Sequence, residues 1–192
     1  MTMRDPYLLL TPILVLGVLG LVRFVGCDIL FGLQHVPDPP LEFVKDVTLG
    51  MSRQNFTGFS GMAIDVGSKA LKVQSLERYC DGNSMGDHRI KIVDAETGTQ
   101  VGDTALVSLV NKAEGFVSAT LSSQATLIAG KRYYVVSEEF DGGDVFYDND
   151  TTLTTQSDAS VVQPVYFDTS VQQWVLMGTG QSYGPVSFAY LK

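Results

Sequence analysis

The chain reads as all-β, an antiparallel β-sandwich of the jelly-roll or immunoglobulin-like kind preceded by one N-terminal hydrophobic helix. Three observations lead there. Tyr7 to Val22 is an unbroken uncharged run. After Leu41, short stretches of β-branched and aromatic residues alternate with glycine-bearing turns. No segment in that part carries an apolar stripe at the helical repeat of about 3.6 residues. A closed barrel is the second architecture that such strands could form.

The first element, residues 1–33, is a membrane anchor or a lipoprotein signal. A spanning helix needs about 20 mostly apolar residues, and Tyr7 to Val22 supplies sixteen. Extension to Val25 takes in Arg23, which is tolerable only near an interface, where its charge can snorkel to water. Pro12 would kink the helix unless the helix starts close by. Phe24-Val25-Gly26-Cys27 at the end of the run resembles a bacterial lipobox, which makes Cys27 the candidate lipidation site. The resemblance is partial: Phe24 stands where leucine is usual, and Asp5 offsets Arg4. Uncleaved helix and lipidated Cys27 both remain open, and both put the body on a membrane outside the cytoplasm, in the cell envelope. Residues 34–40 form a proline-rich spacer, since three prolines within Pro37-Asp38-Pro39-Pro40 favour an extended run of about 3 Å per residue.

Residues 41–192 suit one domain. They hold eleven Lys and Arg against eighteen Asp and Glu, an acidic balance that makes nucleic acid a poor partner. Tyr133 to Leu191 contains eight acids and no Lys, Arg or His. Such a half is a solvated surface or a seat for cations or a basic partner. Cys27 and Cys80 are the two cysteines; with Cys27 in lipid or bilayer, Cys80 has no partner and no disulfide framework follows.

Ten strands are expected within this domain: 61–66, 71–79, 88–93, 104–110, 115–121, 132–138, 145–147, 161–167, 173–177 and 186–191. Alternation is clearest in Arg89-Ile90-Lys91-Ile92 and Val186-Ser187-Phe188-Ala189-Tyr190, where residues two apart share a face. The connections Val66-Gly67-Ser68, Cys80-Asp81-Gly82-Asn83, Glu96-Thr97-Gly98, Ala129-Gly130-Lys131 and Asp141-Gly142-Gly143 supply turn chemistry.

Four stretches in order carry a family likeness: Leu71-Lys72-Val73-Gln74-Ser75-Leu76-Glu77-Arg78-Tyr79, His88-Arg89-Ile90-Lys91-Ile92-Val93-Asp94, Gly115-Phe116-Val117-Ser118-Ala119-Thr120-Leu121, and Leu127-Ile128-Ala129-Gly130-Lys131-Arg132-Tyr133-Tyr134-Val135. From Phe59 to about Asp150 the chain resembles a bacterial extracellular β-sandwich family of unknown function, attached to carbohydrate-active and surface-anchored proteins. The resemblance implies the sandwich more than any activity, since one fold hosts many functions. Glu138-Glu139 and the acidic stretch beyond depart from it.

Candidate sites are few. Asp141, Asp144, Asp148 and Asp150 cluster around Gly142-Gly143 and are the candidate metal ligands, with calcium as the cofactor they would hold. Their spacing is not that of an EF-hand, and a polar loop closed by local turn bonds is the plain alternative. Trp174, beside Gln172 and Gln173, and Tyr183, within Gly180-Gln181-Ser182-Tyr183-Gly184-Pro185, are the candidate ligand-binding rings. An aromatic face stacks on a sugar while amides and acids bond its hydroxyls. A core or strand-edge packing role is the favoured plain reading of Trp174, and Tyr183 is the ring expected to be more exposed. His35 and His88 lack companions at metal-ligand spacing, and no nucleophile–base set can be assembled. Glu138 and Glu139 would face opposite sides of a strand.

The expected function is therefore noncatalytic: a membrane-tethered extracytoplasmic binding or adhesion module whose partner is a glycan or an envelope protein. The alternative is a structural envelope subunit that assembles with itself or a larger surface complex.

Overall fold

Fourteen strands run through the computed structural model, which describes residues 38–178 and 180–192. They are β1 (Leu41–Glu42), β2 (Val44–Thr48), β3 (Ser52–Arg53), β4 (Gly58–Val66), β5 (Leu71–Cys80), β6 (Asp87–Asp94) and β7 (Gln100–Ser108). Then follow β8 (Gly115–Leu127), β9 (Arg132–Glu139), β10 (Phe146–Tyr147), β11 (Thr152–Thr155), β12 (Ala159–Asp168), β13 (Gln173–Leu176) and β14 (Val186–Leu191). All pairings are antiparallel. One sheet has the order β1-β14-β5-β8 and the other β13-β12-β4-β9-β6-β7, with two small ribbons, β10-β3 and β11-β2.

The architecture is all-β and sandwich-like. Met62 and Ile64 of β4, Ile90 and Ile92 of β6, and Tyr133 and Val135 of β9 share one core with Leu71, Val73 and Leu76 of β5 and with Val186, Phe188 and Tyr190 of β14. The two sheets thus bury facing sides, each large side chain contributing about 1.5–3 kcal/mol. Phe43 seals the margin by stacking on Phe188, ring centres 4.6 Å apart. These residues belong to the compact unit Pro37–Lys192.

Every one of the ten expected strands is present. The β6 alternation holds, with Ile90 and Ile92 buried in the core and Lys91 part-buried on the other side. The half-buried reading of Val186 to Tyr190 does not hold. Ser187 and Ala189 are buried as well, and the Val44 amide donates to Ser187 Oγ at 3.3 Å. Four strands lay outside the expectation: β1, β2, β3 and β11.

A bulge in β5 decides what enters the interior. Val73 and Ser75 pair with consecutive β14 residues, Tyr190 and Ala189, which leaves Gln74 unmatched. An extra residue flips every later side chain to the other face. Leu76, Arg78 and Cys80 therefore continue the core row begun by Leu71 and Val73, and a charged residue is carried inside. Cys80 is a buried free thiol, its Sγ 3.4 Å from the Gly82 amide that donates to it.

The turn glycines behave as their positions require. Gly82, Gly98, Gly130 and Gly142 have φ of 83, 70, 73 and 69°, the left-handed region that glycine enters without steric cost. Residues 1–37 lie outside the described residues, so the anchor, most of the spacer, His35 and the lipidation of Cys27 have no structural reading here. Among the described residues no helix is long and apolar enough to cross a membrane.

Candidate functional site

The outer face of the six-stranded sheet is built by alternation in β4 and β9, and a register shift in β12 between Val161 and Gln163 changes the parity of that strand. With Met62 and Ile64 turned to the core, β4 presents Phe59 and Ala63 on the opposite side; β9 likewise presents Tyr134, Val136 and Glu138. Register places Phe59 opposite Glu138, Lys91 opposite Val136, and Phe167 opposite Trp174. Ala63, Val93, Tyr134, Val136 and Val165 form a second buried cluster there, with Phe59 and Trp174 packed against it.

On that apolar floor stands an aromatic platform. The Trp174 ring lies 5.0 Å from Phe167 at 63° and 5.4 Å from Tyr134 at 46°. Lys91 Nζ sits 3.7 Å above the Phe59 centroid and 6.0 Å from Trp174, close enough for cation–π attraction. Burial holds the Lys91 ammonium below the usual lysine range, the charge of Glu138 opposing the effect and Arg89 adding to it. Glu138 is itself engaged by Arg89 through two bonds of 2.6 Å.

Together Phe59, Lys91, Glu138, Phe167, Gln172 and Trp174 line an open cleft of about 570 Å³. Gln172 reaches it from the β12–β13 turn, where it holds φ at 55° and donates to the Thr169 carbonyl at 2.7 Å. A left-handed glutamine is uncommon and carries a backbone cost. The result is a shelf of ring faces with an amide, an ammonium and a carboxylate at its margin.

Trp174 takes the packing role at an edge strand, and its ring also lines the cleft. Phe59, Phe167 and Lys91 were missed, because only pairing register puts them beside Trp174. Tyr183 does not join them. It is 8% exposed, which corrects the expectation of an exposed ring, and it lies among Phe146, Tyr166 and Ser60 at the end of the sandwich. The cause is local: the Tyr183 amide donates to the Gly61 carbonyl and the Gly184 amide to that of Tyr147, so this turn is drawn inward.

The four candidate metal ligands do not converge. Asp144 accepts from the Met85 and Gly86 amides at 2.9 and 2.7 Å and lies 3.1 Å from His88 Nε2. Asp148 is paired with Arg53 at 3.1 Å, and Asp150 accepts from the Met51 amide at 3.0 Å. Asp141 is exposed, and its own amide is tied to Thr57 Oγ1. Among the described residues no three His, Cys, Asp or Glu side chains group as a metal site. Turn closure and ion pairing engage the carboxylates of Asp144, Asp148 and Asp150, and the four residues do not group as the calcium expectation required.

Five of the eight acids in the acidic half are met by basic side chains from elsewhere in the chain. Arg78 pairs with Glu139, His88 faces Asp144, Arg89 pairs with Glu138, Arg53 with Asp148 and Lys192 with Asp158. Glu138 and Glu139 do face opposite sides, one toward Arg89 on the outer face and the other toward Arg78 inside. Compared with protein-family models and with curated proteins, the chain matches none.

Proposed function

We propose that the domain is a noncatalytic binding or adhesion module, held outside the cytoplasm by its N-terminal segment, and that it recognises carbohydrate on the outer face of its six-stranded sheet. One observation carries this reading: Phe59, Phe167 and Trp174 form a platform beside Gln172, Lys91 and Glu138. A sugar presents one apolar C–H face and a ring of hydroxyls, and such a surface matches both. The fold is then a β-sandwich of the jelly-roll or immunoglobulin-like type, kin in architecture to extracellular modules of carbohydrate-active and surface-anchored proteins.

A polysaccharide pull-down with the full-length chain tests this. Binding to at least one polymer is expected, with Trp174→Ala weakening it by about two- to tenfold or more, since stacking contributes roughly 0.5–1.5 kcal/mol beyond the area it buries. A folded protein that retains no polymer across a broad panel ends the carbohydrate reading. Full-length product found wholly in the soluble cell fraction ends the tether.

A further inference from the structure

At the end of the sandwich, away from the outer cleft, lies a second pocket of about 220 Å³ lined by Arg53, Phe56, Ser60, Phe146, Tyr166 and Tyr183. Alternation separates the two: Phe59 and Phe167 point to the outer face, whereas Ser60 and Tyr166, paired with one another across β4 and β12, point to this pocket. Its walls are aromatic. Phe56 meets Phe146 at 6.2 Å and Tyr166 at 5.9 Å, and Tyr166 meets Tyr183 at 6.3 Å, all edge to face. That geometry holds four rings around one small volume.

Ser60 is the anomaly. It is 2% exposed, and its Oγ is a buried side-chain oxygen with no hydrogen-bond partner among the described residues. Leaving such a hydroxyl unpaired costs stability, and replacing it with a methyl would remove the cost. The Tyr166 and Tyr183 hydroxyls also have no hydrogen-bond partner among the described residues. Arg53 spends Nε on Asn55 at 2.9 Å and Nη1 on Asp148 at 3.1 Å, which balances its charge and leaves Nη2 to offer.

We propose that this pocket takes a single uncharged pyranose ring, such as the terminal residue of a neutral glycan. The aromatic walls receive its C–H faces. Ser60 Oγ, the two tyrosine hydroxyls and Arg53 Nη2 bond its oxygens. The volume lies below the roughly 300–1,000 Å³ of pockets for drug-sized ligands and suits one ring. Asp148 beside Arg53 disfavours an anionic guest, and three hydroxyls without a partner among the described residues call for more ligand oxygens than a phenol carries. The site stands on its own geometry and does not depend on the outer cleft.

Ligand-observed NMR by saturation transfer, on the full-length chain in lipid nanodiscs, tests it with the methyl glycosides of glucose, galactose, mannose and N-acetylglucosamine as probes. At least one should bind the wild type. Ser60→Ala should weaken that binding about tenfold while the melting temperature stays level or rises, Tyr183→Phe should weaken it with the ring wall intact, and Trp174→Ala should leave it unchanged. The proposal is overturned if no methyl glycoside binds the folded wild type or if both Ser60→Ala and Tyr183→Phe bind as the wild type does. It is also overturned if Trp174→Ala alone abolishes binding, because the sugar then belongs to the outer cleft. Should Ser60→Ala fail to fold, Tyr183→Phe decides.

Discussion

Arg78 is a guanidinium 1% exposed, carried inside by the β5 bulge and met there by Glu139, which is 0% exposed. Two bonds join them, Nε to Oε1 at 3.2 Å and Nη2 to Oε2 at 2.8 Å, and the remaining donors reach the Tyr79 and Val145 carbonyls. His88 completes the cluster, with Nδ1 donating to the Glu138 carbonyl at 2.6 Å and lying 3.6 Å from Glu139. A buried pair of this kind adds little net stability against well-packed apolar residues, yet removal of one partner strands a charge at about 3–5 kcal/mol. Arg78→Ala is expected to cost that much in a urea titration, and the double variant Arg78→Met, Glu139→Leu to recover most of it. A double variant no more stable than the single one would refute the stranded-charge account. None of this was legible in sequence: Leu76-Glu77-Arg78-Tyr79 offers two parities, and only the unmatched Gln74 selects the one that buries arginine.

Among the elements, the strands that sequence revealed are those whose pattern carries their fate. Ile90 and Ile92, or Val186, Phe188 and Tyr190, declare a buried face by period-two alternation. The strands it concealed are short or polar: Ser52–Arg53 has two residues, and Thr152–Thr155 is threonine but for Leu153. They exist because the partner strand supplies hydrogen bonds, as Val47 does opposite Leu153, so their signal is nonlocal. The site divides in the same way. Trp174 stood out as an aromatic beside two amides, whereas Phe59 and Lys91 gain meaning only when β4, β9 and β6 are set side by side. Gly61 marks how tightly those strands meet. A Cβ added there would overlap the Val135 carbonyl oxygen and lie 2.9 Å from Val136 Cα, whereas one added at Gly178 would meet nothing within 4 Å. Because backbone in a central strand cannot step aside, Gly61→Ala should destabilise by about 1–3 kcal/mol, and Gly178→Ala should stay within about 0.5 kcal/mol. Equal denaturation midpoints for the two variants would contradict this packing.

For the molecule as a whole, two opposed sets of carboxyls shape the response to pH. Burial tends to raise Asp144, but the Met85 amide, His88 and the Gly86 amide outweigh it and hold the group below the usual carboxylate range. Asp158 is held low by the Tyr190 hydroxyl, against the effect of burial and with help from Lys192, and Asp65 by Arg132. Groups lowered on folding stabilise above their unfolded pKa, and that contribution is lost as pH falls through the folded value. Glu77 works the other way. Burial, then the neighbouring Glu42, push its carboxyl from 4.5 up to about 8, against a bond from Ser187. The folded chain keeps this proton where the unfolded chain has released it. Its stabilising effect is therefore complete below 4.5 and drains away as pH rises toward about 8. Thermal stability should peak in mildly acidic solution, near about pH 5, and decline on both sides. Glu77→Gln keeps the shape and removes the proton, so its melting temperature should exceed that of the wild type at pH 8, with the two curves converging toward pH 4.5. Calorimetric melts across that interval read the difference directly, and parallel curves for variant and wild type would show that Glu77 titrates as an ordinary surface acid.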